Sequence, residues 1–217
     1  MSEALEIYWR TRLAHTAEAL EKNNFTARVV ETVADAKAAL VEELLPADNP
    51  ASVSFGGSMT AADAGLFDAL RAWPGVEVIE TMAADLPADV KFENRRKALL
   101  ADFFLTGSNA VTETGKLVNL DMIGNRVGAL ACGPKRVVVV AGRNKIVPDV
   151  PEAKTRIKSL CAPANAMRLN LKTPCAKTGR CQECASPDRI CNVWVINEKS
   201  FPAGRIHVIL VNEDLGY

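Results

Sequence analysis

The chain reads as an α/β domain, a mainly parallel sheet with helices on both faces, carrying a cysteine-rich loop near its end. Three observations predict this. Short apolar runs alternate with segments of helical period along most of the length. Residues 136–141 include four consecutive valines, a run that suits a strand buried on both faces in the middle of a parallel sheet. Four cysteines, Cys175, Cys181, Cys184 and Cys191, fall within one seventeen-residue window after the last helical pattern and before two late strands.

The elements follow in order. Leu5, Trp9, Leu13, Ala17 and Leu20 recur at helical spacing over residues 3–23, and Asn23-Asn24 stops the run. Residues 25–30 read as a strand, 34–45 as a helix ended before Pro46, and 51–55 as a buried strand. Gly56-Gly57-Ser58 is a turn, after which Thr60 caps a helix through residue 70 with Asp63 in the capping-box position. A strand at 76–79, a helix at 91–100 and a strand at 102–106 come next. Residues 107–126 are rich in Gly, Asn and Thr, which suits loops and strands lining a site. The valine strand precedes helices at 151–160 and 163–171, the first with Pro151 in its opening turn. Strands at 193–196 and 205–211 close the domain, so the cysteine loop at 173–192 is an insertion within a single domain of residues 1–217.

Composition removes some classes of function. Lys plus Arg and Asp plus Glu both total 26, so no overall field favours nucleic acid or an anionic membrane. The amino-terminal residues enter a charged amphipathic helix without the apolar stretch of a signal peptide or spanning helix, and the expected location is cytoplasmic. Six cysteines without an export signal favour reduced thiols and metal binding over disulfides. Cys132 and Cys161 lie outside the cluster and read as small core residues.

The C-x5-C-x2-C-x6-C spacing lets the central pair grip one ion or cluster from a tight turn, while the flanking thiols close the shell. Lys172, Lys177, Arg180 and Arg189 would offset the roughly two negative charges of such a site. A compact loop with one C-x2-C differs from the two separated knuckles of most zinc sites, so the expected cofactor is an iron-sulfur cluster of the four-iron type (4Fe-4S), with zinc the alternative. Elsewhere Gly56, Gly57, Ser58 and Thr60 join a strand to a helix where an anion is readily held, though neither phosphate-loop nor dinucleotide fingerprint is complete. Ser108, Asn109, Asn125 and Arg126 suit a polar ligand, and a plain hairpin satisfied by its own turn residues is the competing reading. Arg143 and Lys145 stand at the carboxyl end of the central strand, where open parallel sheets bind ligands. His15 and His207 have no catalytic neighbours and read as structural.

The segments SFGGSMT at 54–60, LTGSNAVTETGKLVNLDMIGNRV at 105–127, GRNKIVPD at 142–149 and TPCAKTGRCQECASPDRICN at 173–192 closely resemble the LUD (lactate utilisation) domain family, in its single-domain branch. The resemblance runs from the Tyr8-Trp9 helix to the carboxyl terminus. It implies a fold similar to the sugar-phosphate isomerase and CoA-transferase superfamily and an association with cytoplasmic oxidation of lactate to pyruvate, where related members act in iron-sulfur complexes. The separate ferredoxin-like modules of larger subunits are missing here. By fold analogy Glu113 in an E-x-G segment looks like the nucleophilic glutamate of class I CoA transferases. Three functions are therefore expected to compete: a metal-binding component in oxidation of an organic acid, a CoA-transferase-like or sugar-phosphate enzyme with a structural zinc loop, and a non-catalytic ligand-binding module. The expected partners are a small anionic organic ligand, an electron-transfer protein and a second copy of the chain.

Overall fold

The computed structural model describes residues 2–217. It opens with α1 (Glu3–Lys22), β1 (Thr26–Val30) and α2 (Val33–Ala38), the last running through a π-helical turn, Ala39–Leu44, into α3 (Leu45–Asp48). Next come β2 (Ser52–Phe55), α4 (Met59–Asp63), α5 (Leu66–Arg71), β3 (Glu77–Ile79), α6 (Ala88–Lys97) and β4 (Phe103–Gly107). A hairpin of β5 (Ala110–Thr112) and β6 (Leu117–Asp121) precedes α7 (Asn125–Ala131), β7 (Arg136–Gly142) and β8 (Ile146–Val147). Then α8 (Val150–Arg156) passes through a second π turn, Ile157–Cys161, into α9 (Ala162–Arg168), followed by α10 (Pro174–Thr178), β9 (Val193–Asn197) and β10 (Ile206–Val211).

Six strands make a wholly parallel sheet in the order β1-β10-β7-β4-β2-β3. The valine strand sits near its middle, and its alternation divides two cores. Val137, Val139 and Ala141 pack with Leu13 and Leu20 of α1, whereas Val138 and Val140 pack on the other face with Leu40, Phe55 and Leu66. Each such side chain gains about 1.5–3 kcal/mol by leaving water, so the run commits this strand to a position with helices on both sides. A second, four-stranded sheet, β8-β5-β6-β9, stands beside the first and packs against α8 through Ala110, Val118, Ala153 and Ile157. No helix among the described residues is long and apolar enough to cross a membrane.

Several local expectations are corrected. The helix expected over 60–70 is two helices, because Gly65 at φ 63° turns the chain between them. Its cap is Ser58, whose hydroxyl accepts from the Ala61 amide, and Thr60 is left free to serve the cleft described below. Helical structure does not stop at Pro46, and the two helices expected at 151–160 and 163–171 are one continuous run. Both prolines follow a π turn. A proline lacks its amide and crowds the carbonyl four residues earlier, and the wider turn relieves both defects without ending the helix. Cys132 is exposed at the end of α7 and is no core residue.

His207 has a structural role of measurable size. It lies on β10 with Nε2 2.8 Å from Arg136 Nη1, while Arg136 is forked onto Asp48. Burial, reinforced by the Arg136 charge, pulls its pKa down to about 4. Its folded pKa lies below the unfolded value of about 6.5, so the unfolded chain takes up the proton first as pH falls. Stability is complete above that value and declines between about pH 6.5 and 4, by about 2 kcal/mol after allowance for partial exposure. Urea unfolding at pH 7 and pH 5 should show somewhat more than half of this loss, and His207→Gln should flatten it.

Candidate functional site: a cationic cleft beside the cysteine segment

Neighbouring strands β2 and β4 send the chain in opposite directions, β2 outward to β3 and β4 inward toward β7. A parallel sheet opens a crevice at such a place, beyond the carboxyl ends of its strands. Here the crevice is a cavity of about 550 Å³ bordered by Gly57 and Ser58 after β2, Ser108 and Asn109 after β4, and Lys145 after β7. The two loops meet closely. A Cβ on Gly107 would lie 2.5 Å from Ser58 Oγ, and one on Gly56 would lie 2.9 Å from Arg126 Cγ, so glycine at both positions lets the walls approach.

The floor is a polar network. Arg126 of α7 donates to Asn119 Oδ1 at 2.5 Å, Asn109 Oδ1 at 3.0 Å, the Leu120 carbonyl at 3.0 Å and the Gly107 carbonyl at 3.4 Å. Asn119 in turn donates to Ser108 Oγ and accepts from the Asn109 amide. This ties the loop after β4 to strand β6. Asp121 is occupied by the backbone amides of Met122, Arg126 and Val127, which anchors the start of α7.

Lys145 is 4 % exposed, and its Nζ donates to Thr60 Oγ1 at 2.7 Å. Burial first, and the neighbouring Arg156 second, lower its pKa to about 8. Arg156 on α8 donates to the carbonyls of Asn144 and Asn109 and lies 2.7 Å from the Cys161 sulfur. Burial pushes the Cys161 thiol up despite the two cations. Among the described residues no carboxylate lies within ion-pair distance of Arg126, Lys145 or Arg156. The cavity is bordered by Lys91, Arg95, Arg126, Lys145 and Arg168 against the single side-chain carboxylate of Asp121. Its charge therefore favours an anion.

Of the residues singled out in the sequence, Gly57, Ser58, Ser108, Asn109, Asn125, Arg126, Lys145 and Cys191 border this cavity. Gly56 and Thr60 stand just behind it, beneath Arg126 and Lys145. Arg143 turns to Asp214 and Asn212 of the carboxyl-terminal segment and covers the Trp9 ring. Glu113 also lies outside the cavity: its carboxylate takes Arg12 Nε at 2.6 Å. Sequence reasoning missed Arg156 and Cys161. The signal was a lone arginine on α8 immediately before Ile157 and three residues after Ala153, both fully buried.

The cysteine segment borders the cavity through Cys191. Cys175 lies on α10, and Gly179 in the left-handed region ends that helix. Arg189 then clamps the remainder, donating to the carbonyls of Cys184 at 2.6 Å and Cys191 at 2.9 Å. Burial raises the Cys191 thiol, and the charges of Cys181 and Cys175 push it the same way while Lys158 and Arg189 oppose them. Three of the four sulfurs thus share one electrostatic neighbourhood. The cysteines are free thiols, and among the described residues no three His, Cys, Asp or Glu side chains are already drawn together as a metal site.

An α/β domain with a cation-lined cleft beyond its strand ends and a thiol-rich segment at the rim is thus defined by geometry alone. The LUD domain matches residues 13–211, and the chain belongs to that family. Membership supports a role related to lactate utilisation. The crystal structure of a DUF162 family protein from Deinococcus radiodurans is similar over 94 % of this chain and 98 % of that one, with a TM-score of 0.50 and 15 % identity, a likeness of fold. None of the curated proteins matches this chain.

Proposed function

We propose that this protein is a metal-binding component in the cytoplasmic oxidation of lactate or a related organic acid. The acid occupies the cleft, and Cys175, Cys181, Cys184 and Cys191 hold a metal centre at its rim. The observation that carries the reading is the position of Cys191, which borders the cationic cavity and shares an electrostatic neighbourhood with Cys175 and Cys181. The donor set suits a soft metal in kind, since four thiolates lie in a short segment and Lys158 and Arg189 stand near enough to offset their charge.

The chain's own residues have plain tasks. Lys145 offers an ammonium to a carboxylate, while Ser58 at the cavity wall offers a hydroxyl to the ligand's polar groups. Arg126 holds the floor rigid through its four bonds and adds positive charge. A four-iron cluster, when bound, supplies one-electron transfer to a protein partner, which suits an oxidation that releases two electrons in a chain without a nicotinamide or flavin fingerprint. Zinc there would tie down the loop without redox chemistry.

Anaerobic purification with iron, zinc and acid-labile sulfide analysis tests the reading. Brown protein with iron and sulfide is expected, and Cys184→Ser should lose both the visible absorption and the bound iron. Colourless protein with stoichiometric zinc would remove the redox role, and protein without any metal would remove the reading entirely.

A further inference from the structure

We infer that Lys145 is a nucleophile that forms an imine with an oxo acid bound in the cleft. The inference rests on the reading of the cleft as an anion site and extends it to the class of ligand: a carboxylate that also carries an aldehyde or ketone.

Two wall residues carry nucleophilic groups. Cys161 and Lys145 are both buried at the cavity, and burial acts on them in opposite senses because it penalises whichever form is charged. It keeps the thiol protonated and inert, and the Cys161 sulfur is already met by Arg156. It favours the neutral amine, the reactive form. A lysine desolvated beside another cation is a recognised way to obtain a nucleophilic amine near neutral pH.

The charged and titratable groups facing Lys145 all bear on this. Beyond burial, Arg156 from α8 disfavours its protonation most, Cys161 favours it, Arg126 from α7 disfavours it, and Asp63 of α4 favours it least. The orientation is held by Thr60. Its hydroxyl proton is directed to the Leu215 carbonyl at 3.3 Å, so its oxygen accepts from Lys145 whether or not the amine is charged. The neutral amine therefore keeps its lone pair uncommitted, and the residue borders the cavity.

The step balances without any oxidant. Nζ bonds to the carbonyl carbon, the carbon-oxygen double bond is replaced by a carbon-nitrogen double bond, and both amine protons leave with the oxygen as water. The acid's carboxylate meets the positive charge that the cleft presents through Arg126 and Arg168.

The experiment uses the whole purified chain with pyruvate or glyoxylate and sodium cyanoborohydride, followed by peptide mapping. Calorimetry with pyruvate and with propionate, which has the carboxylate but no ketone, runs alongside. The expected result is a reduced adduct at Lys145, trapped at about pH 7.5 roughly a hundred-fold faster than at any other lysine. Its rate should rise with pH through a midpoint at about 8. Lys145→Arg keeps the charge without a condensable amine and should lose the adduct. Mapping of the natural protein gives the answer even if that variant folds poorly. Saturable binding of pyruvate and propionate without enrichment of the adduct at Lys145 would overturn the imine and leave the anion cleft standing. Failure of either acid to bind would overturn both.

Discussion

Lys145→Met is expected to stabilise the ligand-free protein by about 3 kcal/mol near pH 7 and to weaken binding of small carboxylates. The ammonium is 4 % exposed and has no carboxylate partner among the described residues, so the folded state carries a buried charge that the unfolded chain leaves in water. Its folded pKa of about 8 lies below the unfolded value of about 10.5, and the difference measures that penalty. The sign follows from proton counting. Between these values the unfolded chain binds more protons, so stability rises with pH, and the penalty is full below about pH 8 and gone above about 10.5. Urea unfolding near pH 7 should separate the two proteins clearly, and the curves should converge as pH approaches about 10. Methionine fills a similar volume, and only one hydrogen bond, to Thr60, is lost. A natural charge whose removal raises stability is one retained for another purpose, and an anionic ligand that neutralises it recovers the cost on binding.

The fold was legible where one residue pattern reports one environment. The valines of β7 announce a strand covered on both faces, and the period of α1 announces its buried stripe through Leu13 and Leu20. Boundaries were less legible because they depend on backbone details: Gly65 splits a helix, while Pro46 and Pro163 do not end one. The second sheet is less legible because β5 and β8 are short and because the β5–β6 hairpin is completed by strands distant in the chain, β8 and β9. The same limit governs the site. Lys145 stood out at the end of a central strand, yet its partner Thr60 is 85 residues earlier, and Thr60 was read as a cap that Ser58 supplies. Arg156 was hidden in a helix that looked like packing, although it joins Asn109, Asn144 and Cys161. Glu113 was legible only by analogy, and its geometry follows Arg12 on α1 instead.

Arg126→Met should have the opposite effect from the lysine change, a loss of about 4 kcal/mol, although both remove a buried cation. The difference lies in what each cation leaves behind. Thr60 has another partner, the Leu215 carbonyl, when Lys145 is gone. Arg126 serves four acceptors, Asn119 Oδ1, Asn109 Oδ1 and the carbonyls of Gly107 and Leu120, and a thioether supplies none of its donors. Each buried acceptor that loses a donor costs on the order of 1–3 kcal/mol, reduced here because Asn119 Oδ1 and Asn109 Oδ1 keep the amides of Asn109 and Leu120, because water enters from the adjoining cavity and because the desolvated guanidinium is itself relieved. Arg126→Lys should recover little, since an ammonium cannot span four acceptors held in a fork. Scanning calorimetry should register a fall of about 10 °C in Tm for Arg126→Met. The loop after β4 would then keep only its direct bonds to Asn119 and Leu120 of β6, so Ser108 and Asn109 would form a less rigid wall, and carboxylate affinity should fall with stability. An unchanged Tm would mean that the network under the cleft is not held by this arginine, and the case for a preorganised anion site would go with it.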